Sequence, residues 1–413
     1  MNNKNQHIPA GYKSSPLGII PEDWEVKRLG EVCDVDNDSL SNKTDPNYEF
    51  DYISLSDVDS DCIEITTTRQ IFRTAPSRAR RIVKRGDVII STVRPNLQAF
   101  SLIKNEVKDL IVSTGFAVLT PKQIKSEYLY QYVFSQPVSK QFYQLVVGSN
   151  YPAVNSSDVS HLKIAVPPLP EQHRIVSVLS FWDTAIAKQT ALIEKLTIRK
   201  KGLMQQLLTG KKRLKGFEEE WRIHKIREHF IEIRDKNDGK GHIPMSISAK
   251  LGLVPQTDKF DRVVAGNSLD KYTLLRKGDF AYNKGNSNLY EMGCIYRLQE
   301  ESAVVPFVYI CFRVIDDTSC DFFQQFFINH GLDKQLKQII SSGARGDGLL
   351  NVNVEDFMSL KIPYPTIEEQ NAIASILMQA DKEIELAKQK LSSLQEQKKG
   401  LMQVLLTGKK RIK

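Results

Sequence analysis

Lys200-Lys-Gly-Leu-Met-Gln-Gln-Leu-Leu-Thr-Gly-Lys-Lys-Arg213 returns, one residue changed, as Lys398-Lys-Gly-Leu-Met-Gln-Val-Leu-Leu-Thr-Gly-Lys-Lys-Arg411. Extended outward at the same offset of 198, residues 171–215 match 369–413 at 22 of 45 positions without a gap. That density marks an internal duplication. Further upstream the offset pairs Gly148, Asn155, Asp158, Leu162-Lys163-Ile164 and Pro167 with Gly346, Asn353, Asp356, Leu360-Lys361-Ile362 and Pro365. Trp24 answers Trp221, and Lys84-Arg-Gly-Asp87 answers Arg276-Lys-Gly-Asp279, at drifting offsets. Each copy is thus a longer, diverged, turn-rich part followed by a helical part that stayed alike.

The helical parts carry apolar residues at alternating steps of four and three. In the first copy these are Ile175, Leu179, Trp182, Ile186, Ile193, Leu196, Leu203 and Leu207, interrupted by Gln189 and Lys200. In the second they are Ile373, Leu377, Ala380, Ile384, Ala387, Leu391, Leu394, Leu401 and Leu405, interrupted by Lys398. Such a spacing predicts coiled-coil seams. Prolines at 167, 168 and 170 and at 363 and 365 precede the helices, and Thr-Gly at 209–210 and 407–408 stops them. Each should run about 38 residues, or about 57 Å at about 1.5 Å per residue. The residues leave open whether a seam packs on its own domain, on a second copy of the chain, or on the other helix. The matched lengths favour the last, as an antiparallel pair with a pseudo-twofold relation between the halves. Gly202 and Gly400 lie inside the helices, where a kink or a close backbone approach is one use for them.

The diverged parts carry strand signals at Asp87–Val93, Ile111–Ser113, Gly115–Leu119 and Ala303–Phe312. The expected fold class is α+β: two globular α/β domains separated by two long helices that form an antiparallel coiled coil, with an internal pseudo-twofold repeat. The boundaries read are 1–166 and 211–364 for the domains, 167–210 for the central helix and 365–413 for the C-terminal helix.

With 413 residues, 41% apolar and 26% charged, the chain has the composition of a folded multidomain protein. It shows no membrane-length apolar run, and its start, Met1 to His7, is polar with no signal-like stretch after it. A cytoplasmic location is expected. Five cysteines, at 33, 62, 294, 311 and 320, show no CxxC spacing and suggest reduced thiols rather than a disulfide framework or zinc site. Of the net charge of +8, the two helical repeats contribute +7 and +4, leaving −3 for the remaining 323 residues.

Charge is nevertheless concentrated locally. Residues 69–94 hold Arg69, Arg73, Arg78, Arg80, Arg81, Lys84, Arg85 and Arg94 against Asp87 alone. Guanidinium forks suit phosphates and guanine edges; the bland alternative is a solvated charged face. Residues 31–64 are the reverse, with eleven acidic side chains and only Lys43. This stretch suits a basic partner. Its Asp34-x-Asp36-x-Asp38 lacks the Gly and Glu of a calcium loop. In the second copy Asn283, Lys284 and Asn286 in one loop, and Arg345 in another, are residue types that read adenine and guanine, though both loops also read as glycine-bearing turns.

Catalytic constellations are missing. Thr209-Gly-Lys-Lys lacks the magnesium-binding hydroxyl of a P-loop, and no GxGxxG, HExxH or GxSxG occurs. Asp279 and Lys284 alone are a thin basis for a nuclease.

The order Gly18-Ile-Ile-Pro-Glu-Asp-Trp24, Lys-Arg-Gly-Asp87, Pro-Pro-Leu-Pro-Glu-Gln172 and Lys-Lys-Gly-Leu-Met-Gln-Gln-Leu-Leu-Thr-Gly210, then repeated, resembles the specificity (S) subunit of Type I restriction-modification systems. The likeness covers essentially the whole chain. It implies two target-recognition domains, each reading one half of a bipartite, asymmetric site in double-stranded DNA, held apart by the conserved helices. It also implies two methylation (M) subunits acting on adenine N6 with S-adenosylmethionine, and restriction (R) subunits using ATP and magnesium, with no cofactor in this chain. The second copy departs from the first in Thr366-Ile-Glu-Glu-Gln370, where its helix should begin. A coiled-coil scaffold that binds proteins rather than DNA is the competing reading.

Overall fold

The computed structural model describes residues 8–58, 66–146, 152–248, 251–260, 266–285, 290–340 and 350–412. Its backbone divides into two units, 1–191 with 388–413, and 192–387.

In unit 1 one four-stranded sheet has the order Thr68–Ile71, Glu49–Ile53, Leu110–Ser113, Ala79–Ile82, with the two central strands parallel. A second has the antiparallel order Cys33–Val35, Phe116–Pro121, Val88–Ser91, Phe100–Leu102. Val88–Ser91 and Leu110–Ser113 are buried at every residue, as an unbroken apolar run requires when both faces of the strand are covered. A short pair, Glu25–Arg28 with Lys163–Val166, leads into the first long helix.

Unit 2 repeats this plan with other residues. Its sheets run Gly252–Pro255, Ile243–Ser248, Ser302–Val305, Thr273–Arg276 and Phe230–Glu232, Ile310–Val314, Phe280–Asn283, Cys294–Arg297. Ile243–Ser248 and Ser302–Val305 are parallel, matching the parallel pair of unit 1. The strand expected over Ala303–Phe312 is two strands in two different sheets. Pro306 has no N–H for a ladder, and its carbonyl accepts from Tyr309 N in a turn at 3.0 Å.

The matched Lys-Arg-Gly-Asp and Arg-Lys-Gly-Asp are a repeated turn. Asp87 accepts the Lys84 N–H at 2.8 Å and Asp279 the Arg276 N–H at 2.7 Å, while Gly86 and Gly278 take φ of +91° and +94°, open to glycine without strain. The matched Asn155/Asp158 and Asn353/Asp356 cap the short helices Ser156–His161 and Val354–Met358.

The long helices are Leu169–Leu207 and Ile367–Leu405, 39 residues each. Thr366 gives the second the same start as the first: its carbonyl accepts from Gln370 N at 2.9 Å. Gly210 and Gly408 follow the helices at φ +68° and +69°. Nothing lies within 4 Å of a Cβ placed on Gly202 or Gly400, so among the described residues the close backbone approach is not present, and both helices run on through these positions.

Each unit uses one part of each helix, and in each the two parts run antiparallel. In unit 1 Lys398 Nζ meets Asp183 at 2.6 Å while Arg411 meets Glu171. In unit 2 Lys200 meets Asp381 at 2.5 Å while Arg213 meets Glu369. The lysines that interrupt the seams are therefore ion-paired across them, and each paired aspartate also accepts from a domain glutamine, Gln131 or Gln325. All the seam residues read from the sequence are buried or half-buried. Ile175, Leu179 and Leu405 join the unit 1 core with Trp24, Tyr128 and Tyr132, and Leu207, Ile373 and Leu377 join the unit 2 core with Phe230, Phe323 and Phe357. Burying such an aliphatic side chain contributes about 1.5–3 kcal/mol.

The residues matched best between the copies form a clamp in each unit. In unit 1 buried Glu171 accepts the Trp24 indole N–H at 2.9 Å and the Arg411 guanidinium at 3.1 and 2.5 Å. In unit 2 Glu369 accepts Trp221 at 2.8 Å and Arg213 at 2.7 and 2.8 Å. Each arginine thus closes on the glutamate of the other copy. The adjacent glutamines act alike: Gln172 bridges Lys125 N and Pro167 O, and Gln370 bridges Ser319 N and Pro365 O.

Candidate nucleic-acid interface

The arginine run of unit 1 does not form one uniform surface. Arg69 lies on one edge strand of its sheet, and Arg80 and Arg81 lie on the strand at the opposite edge. The acidic segment supplies part of the counter-charge: Arg81 pairs with Asp36 at 2.5 Å, and Arg69 with Glu49 at 3.3 Å and Asp51 at 3.5 Å. Arg81 also donates to Ser156 Oγ at 3.2 Å. The basic partner that the acidic stretch suited is, for these residues, the neighbouring arginines. Arg80 lies over the Phe72 ring at 4.8 Å, a cation–π placement. Arg73, Arg78 and Arg94 are exposed. Among the described residues, Arg73 and Arg78 have no ion pair.

Arg94 opens the turn that follows strand Val88–Ser91. The short 3-10 helix Pro95–Leu97 is bracketed by two non-glycine residues in the left-handed region, Arg94 at φ +49° and Gln98 at φ +53°. That conformation costs an ordinary side chain roughly 1–2 kcal/mol, so the surroundings must hold it. They do: Arg94 N donates to Pro152 O at 2.8 Å, Val154 N to Thr92 O at 2.9 Å, Thr92 Oγ1 to Gly115 O at 2.8 Å, and Gln98 Nε2 to Ser139 Oγ at 3.1 Å. Ser156, Arg81's partner, lies four residues beyond Pro152, so one extended segment of roughly 13 Å links the arginine edge to the turn. A cleft of about 440 Å³ separates the turn from helix Gln136–Val146, with Asn96, Gln98, Phe142 and Tyr143 in its walls.

The corresponding position of unit 2, after strand Phe280–Asn283, is built differently. Asn283 Oδ1 accepts the Gly285 N–H at 2.9 Å and Lys284 Nζ reaches Val352 O at 3.3 Å, while Leu350 N donates to Lys284 O. Asn286 and Arg345 lie outside the described residues. Asp279 is held by Arg313 at 2.8 and 3.1 Å and Lys284 by backbone, so the two sit in separate interactions and do not make a nuclease pair. Nothing in the residue pattern marks the strained turn at 94–98. Two left-handed residues bearing side chains, neither of them Gly, Asn or Asp, leave no local signature.

Burial raises all four described thiols: Cys33 to about 12, Cys294 to about 11, and Cys311 and Cys320 in the same direction. Such groups stay protonated at neutral pH and are poor nucleophiles. Among the described residues no group of three or more His, Cys, Asp or Glu side chains is placed to hold a metal ion, and no helix is long and apolar enough to cross a membrane.

Comparison with known proteins agrees with this duplicated architecture. The family model described as the Type I restriction modification DNA specificity domain matches residues 21–197 and 273–396. A putative type I restriction enzyme MjaX specificity subunit of Methanocaldococcus jannaschii is 26% identical over 97% of both chains. The MjaVIII specificity subunit of the same organism is 25% identical over 95% of this chain and 94% of its own. A chain from a structure on complex assembly and conformational transition of the type I R-M system shares the fold, with a TM-score of 0.64 at 22% identity over 94% of this chain and 99% of that one. With two specificity segments matched and the helix-and-clamp unit present twice, the chain belongs to the family of type I restriction-modification DNA specificity subunits.

Proposed function

We propose that each unit reads one half of a bipartite, asymmetric site in double-stranded DNA, and that the chain itself is not catalytic. Methylation subunits would supply S-adenosylmethionine chemistry on adenine, and restriction subunits would supply ATP- and magnesium-dependent cleavage, in the cytoplasm. The observation that carries this reading is the repetition itself. One framework of sheets, helix ends and Trp–Glu–Arg clamps is built twice, while the loops after Val88–Ser91 and Phe280–Asn283 differ. Two readers of unlike half-sites need a common frame and different surfaces.

In unit 1 the contacts proposed are Arg73, Arg78, Arg80 and Arg94, with Arg69 and Arg81 held by acids at the edges of the same sheet. In unit 2 they are Asn283, Lys284, Asn286 and Arg345. Nothing favours the protein-binding scaffold. The test is to compare methylated motifs genome-wide in cells with and without this chain, and to assay the purified chain with labelled S-adenosylmethionine and duplex DNA. A bipartite motif that appears only with the chain, and no transfer by the chain alone, are expected. Methyl transfer by the isolated chain would overturn the division of labour.

A further inference from the structure

We infer that Arg80 reads a guanine edge in the half-site taken by unit 1, and that Phe72 is the positioning residue that holds its guanidinium for that contact. The inference rests on the DNA-reading function proposed above and deepens it from a set of arginines to one reader, its support and the base it matches.

Strand Ala79–Ile82 fixes the Arg80 main chain. Ala79 is buried, the Arg80 carbonyl accepts from Leu40 N at 2.7 Å, and the Arg78 carbonyl accepts from Thr114 N at 2.8 Å. The half-buried guanidinium is held as well: it lies 4.8 Å from the centre of the Phe72 ring, and Nη1 donates to Ala79 O at 2.8 Å. Phe72 is itself anchored, its N–H donating to Tyr48 O at 2.9 Å and its side chain packing on the small core of Phe50, Tyr52, Ala79 and Ile111. One N–H of Nη1 is thereby used, which leaves Nε and Nη2 as a complete planar fork. Such a fork supplies donors only. Guanine presents two acceptors side by side, O6 and N7, whereas adenine sets a donor beside its N7, so the match is to guanine. A fork ordered before contact also loses less entropy on binding than a free arginine. Arg73 and Arg78 are exposed and, like Arg80, have no ion pair among the described residues. Mobile cations of this kind suit phosphates, which fix register without carrying sequence. Arg69 and Arg81, by contrast, are held by acids. In unit 2 the repeated turns at 84–87 and 276–279 set Tyr272 at the position of Arg80. Tyr272 is 6% exposed and its hydroxyl accepts from Gln256 Nε2 at 3.1 Å, so that position presents no cation. The two units share this strand and differ in what it presents, as readers of unlike half-sites must.

The experiment uses the full chain assembled with its methylation partner and reads the methylated motif from a library of random duplexes. Wild type, Arg80→Ala, Arg80→Lys, Phe72→Leu and Phe72→Tyr are compared, each with its thermal melt. Arg80→Ala and Arg80→Lys should relax one G·C pair in one half of the motif, lowering discrimination there roughly 10- to 100-fold and leaving the other half intact. Lysine keeps the charge and loses the fork, so its failure to rescue separates base reading from a phosphate contact. Phe72→Leu should weaken discrimination at the same pair roughly 2- to 5-fold, and Phe72→Tyr, which keeps the ring, should retain it. Phe72→Leu added to Arg80→Lys should relax the motif no further than Arg80→Lys alone; relaxation at other positions removes Phe72 as the support. The Arg80 variants decide the guanine assignment even where Phe72→Leu lowers the melt. A motif unchanged by Arg80→Lys, relaxation at an A·T pair, or a loss spread evenly over both halves overturns that assignment. A wild-type complex with no sequence preference at all would instead overturn the DNA-reading function on which it rests.

Discussion

Arg213→Ala tests the clamp on which unit 2 closes. It removes two charge-assisted hydrogen bonds, of 2.7 and 2.8 Å, from Glu369, whose side chain is 1% exposed, and leaves that carboxylate with the Trp221 N–H at 2.8 Å. Removing one partner of a fully buried pair costs about 3–5 kcal/mol, because the other charge stays in a poor solvent. Arg213 is 27% exposed, so water reaches the vacated space, and the lower end, about 3 kcal/mol, is expected. Glu369→Gln added to Arg213→Ala removes the stranded charge and keeps the shape. The double variant should therefore be more stable than Arg213→Ala alone, with a total cost of about 1–2 kcal/mol. Urea denaturation of wild type, both single variants and the double variant gives the four free energies, with equal m-values confirming that only stability changed. A loss below about 1 kcal/mol for Arg213→Ala would place the pair with ordinary surface bridges. A double variant less stable than Arg213→Ala would refute the stranded-charge argument.

Leu179→Ala, at a seam position with 0% exposure, should cost about 2–5 kcal/mol, whereas Phe181→Ala, two residues on and 74% exposed, should change stability by less than about 0.5 kcal/mol; equal melts for the two would contradict the assigned helix face. In unit 1, Arg81→Ala should destabilise the fold by unpairing half-buried Asp36, while Arg78→Ala should leave the melt alone and reduce the salt slope of DNA binding by about one unit. A slope unmoved by Arg78→Ala would return that arginine to a solvated face. The Asp333 hydrogen bond raises the His330 pKa above its ordinary 6.5. Its stabilisation is therefore complete below the unfolded value and fades as pH rises through the folded one. Asp333→Asn should then cost more at pH near 6 than above 8, with the His330 proton resonances titrating lower in the variant; an equal cost at both would exclude the linkage.

The seams, the paired helix starts and the stopping glycines were legible in the sequence because each is a local rule: a spacing, a proline, a left-handed glycine. So was the existence of two units, since Trp24, Glu171 and Arg213 recur as Trp221, Glu369 and Arg411. Which copy's arginine closes on which glutamate was decided in three dimensions. Glu171 and Arg213 stand 42 positions apart, one at the start of a 39-residue helix and the other just past its end. At about 1.5 Å per residue that helix holds them roughly 60 Å apart, so only the arginine of the other copy can reach. The arginine run looked like one patch because charge is counted along the chain. The sheet order sent Arg69 and Arg81 to opposite edges, where acids from 34–51 meet them. The turn at 94–98 had no local signal, since its left-handed residues are imposed by Pro152, Gly115 and Ser139, from distant parts of the chain. Periodicity and repetition act between neighbours in sequence and can be read there. Charge compensation and strain act between neighbours in space, and those were set by the tertiary fold.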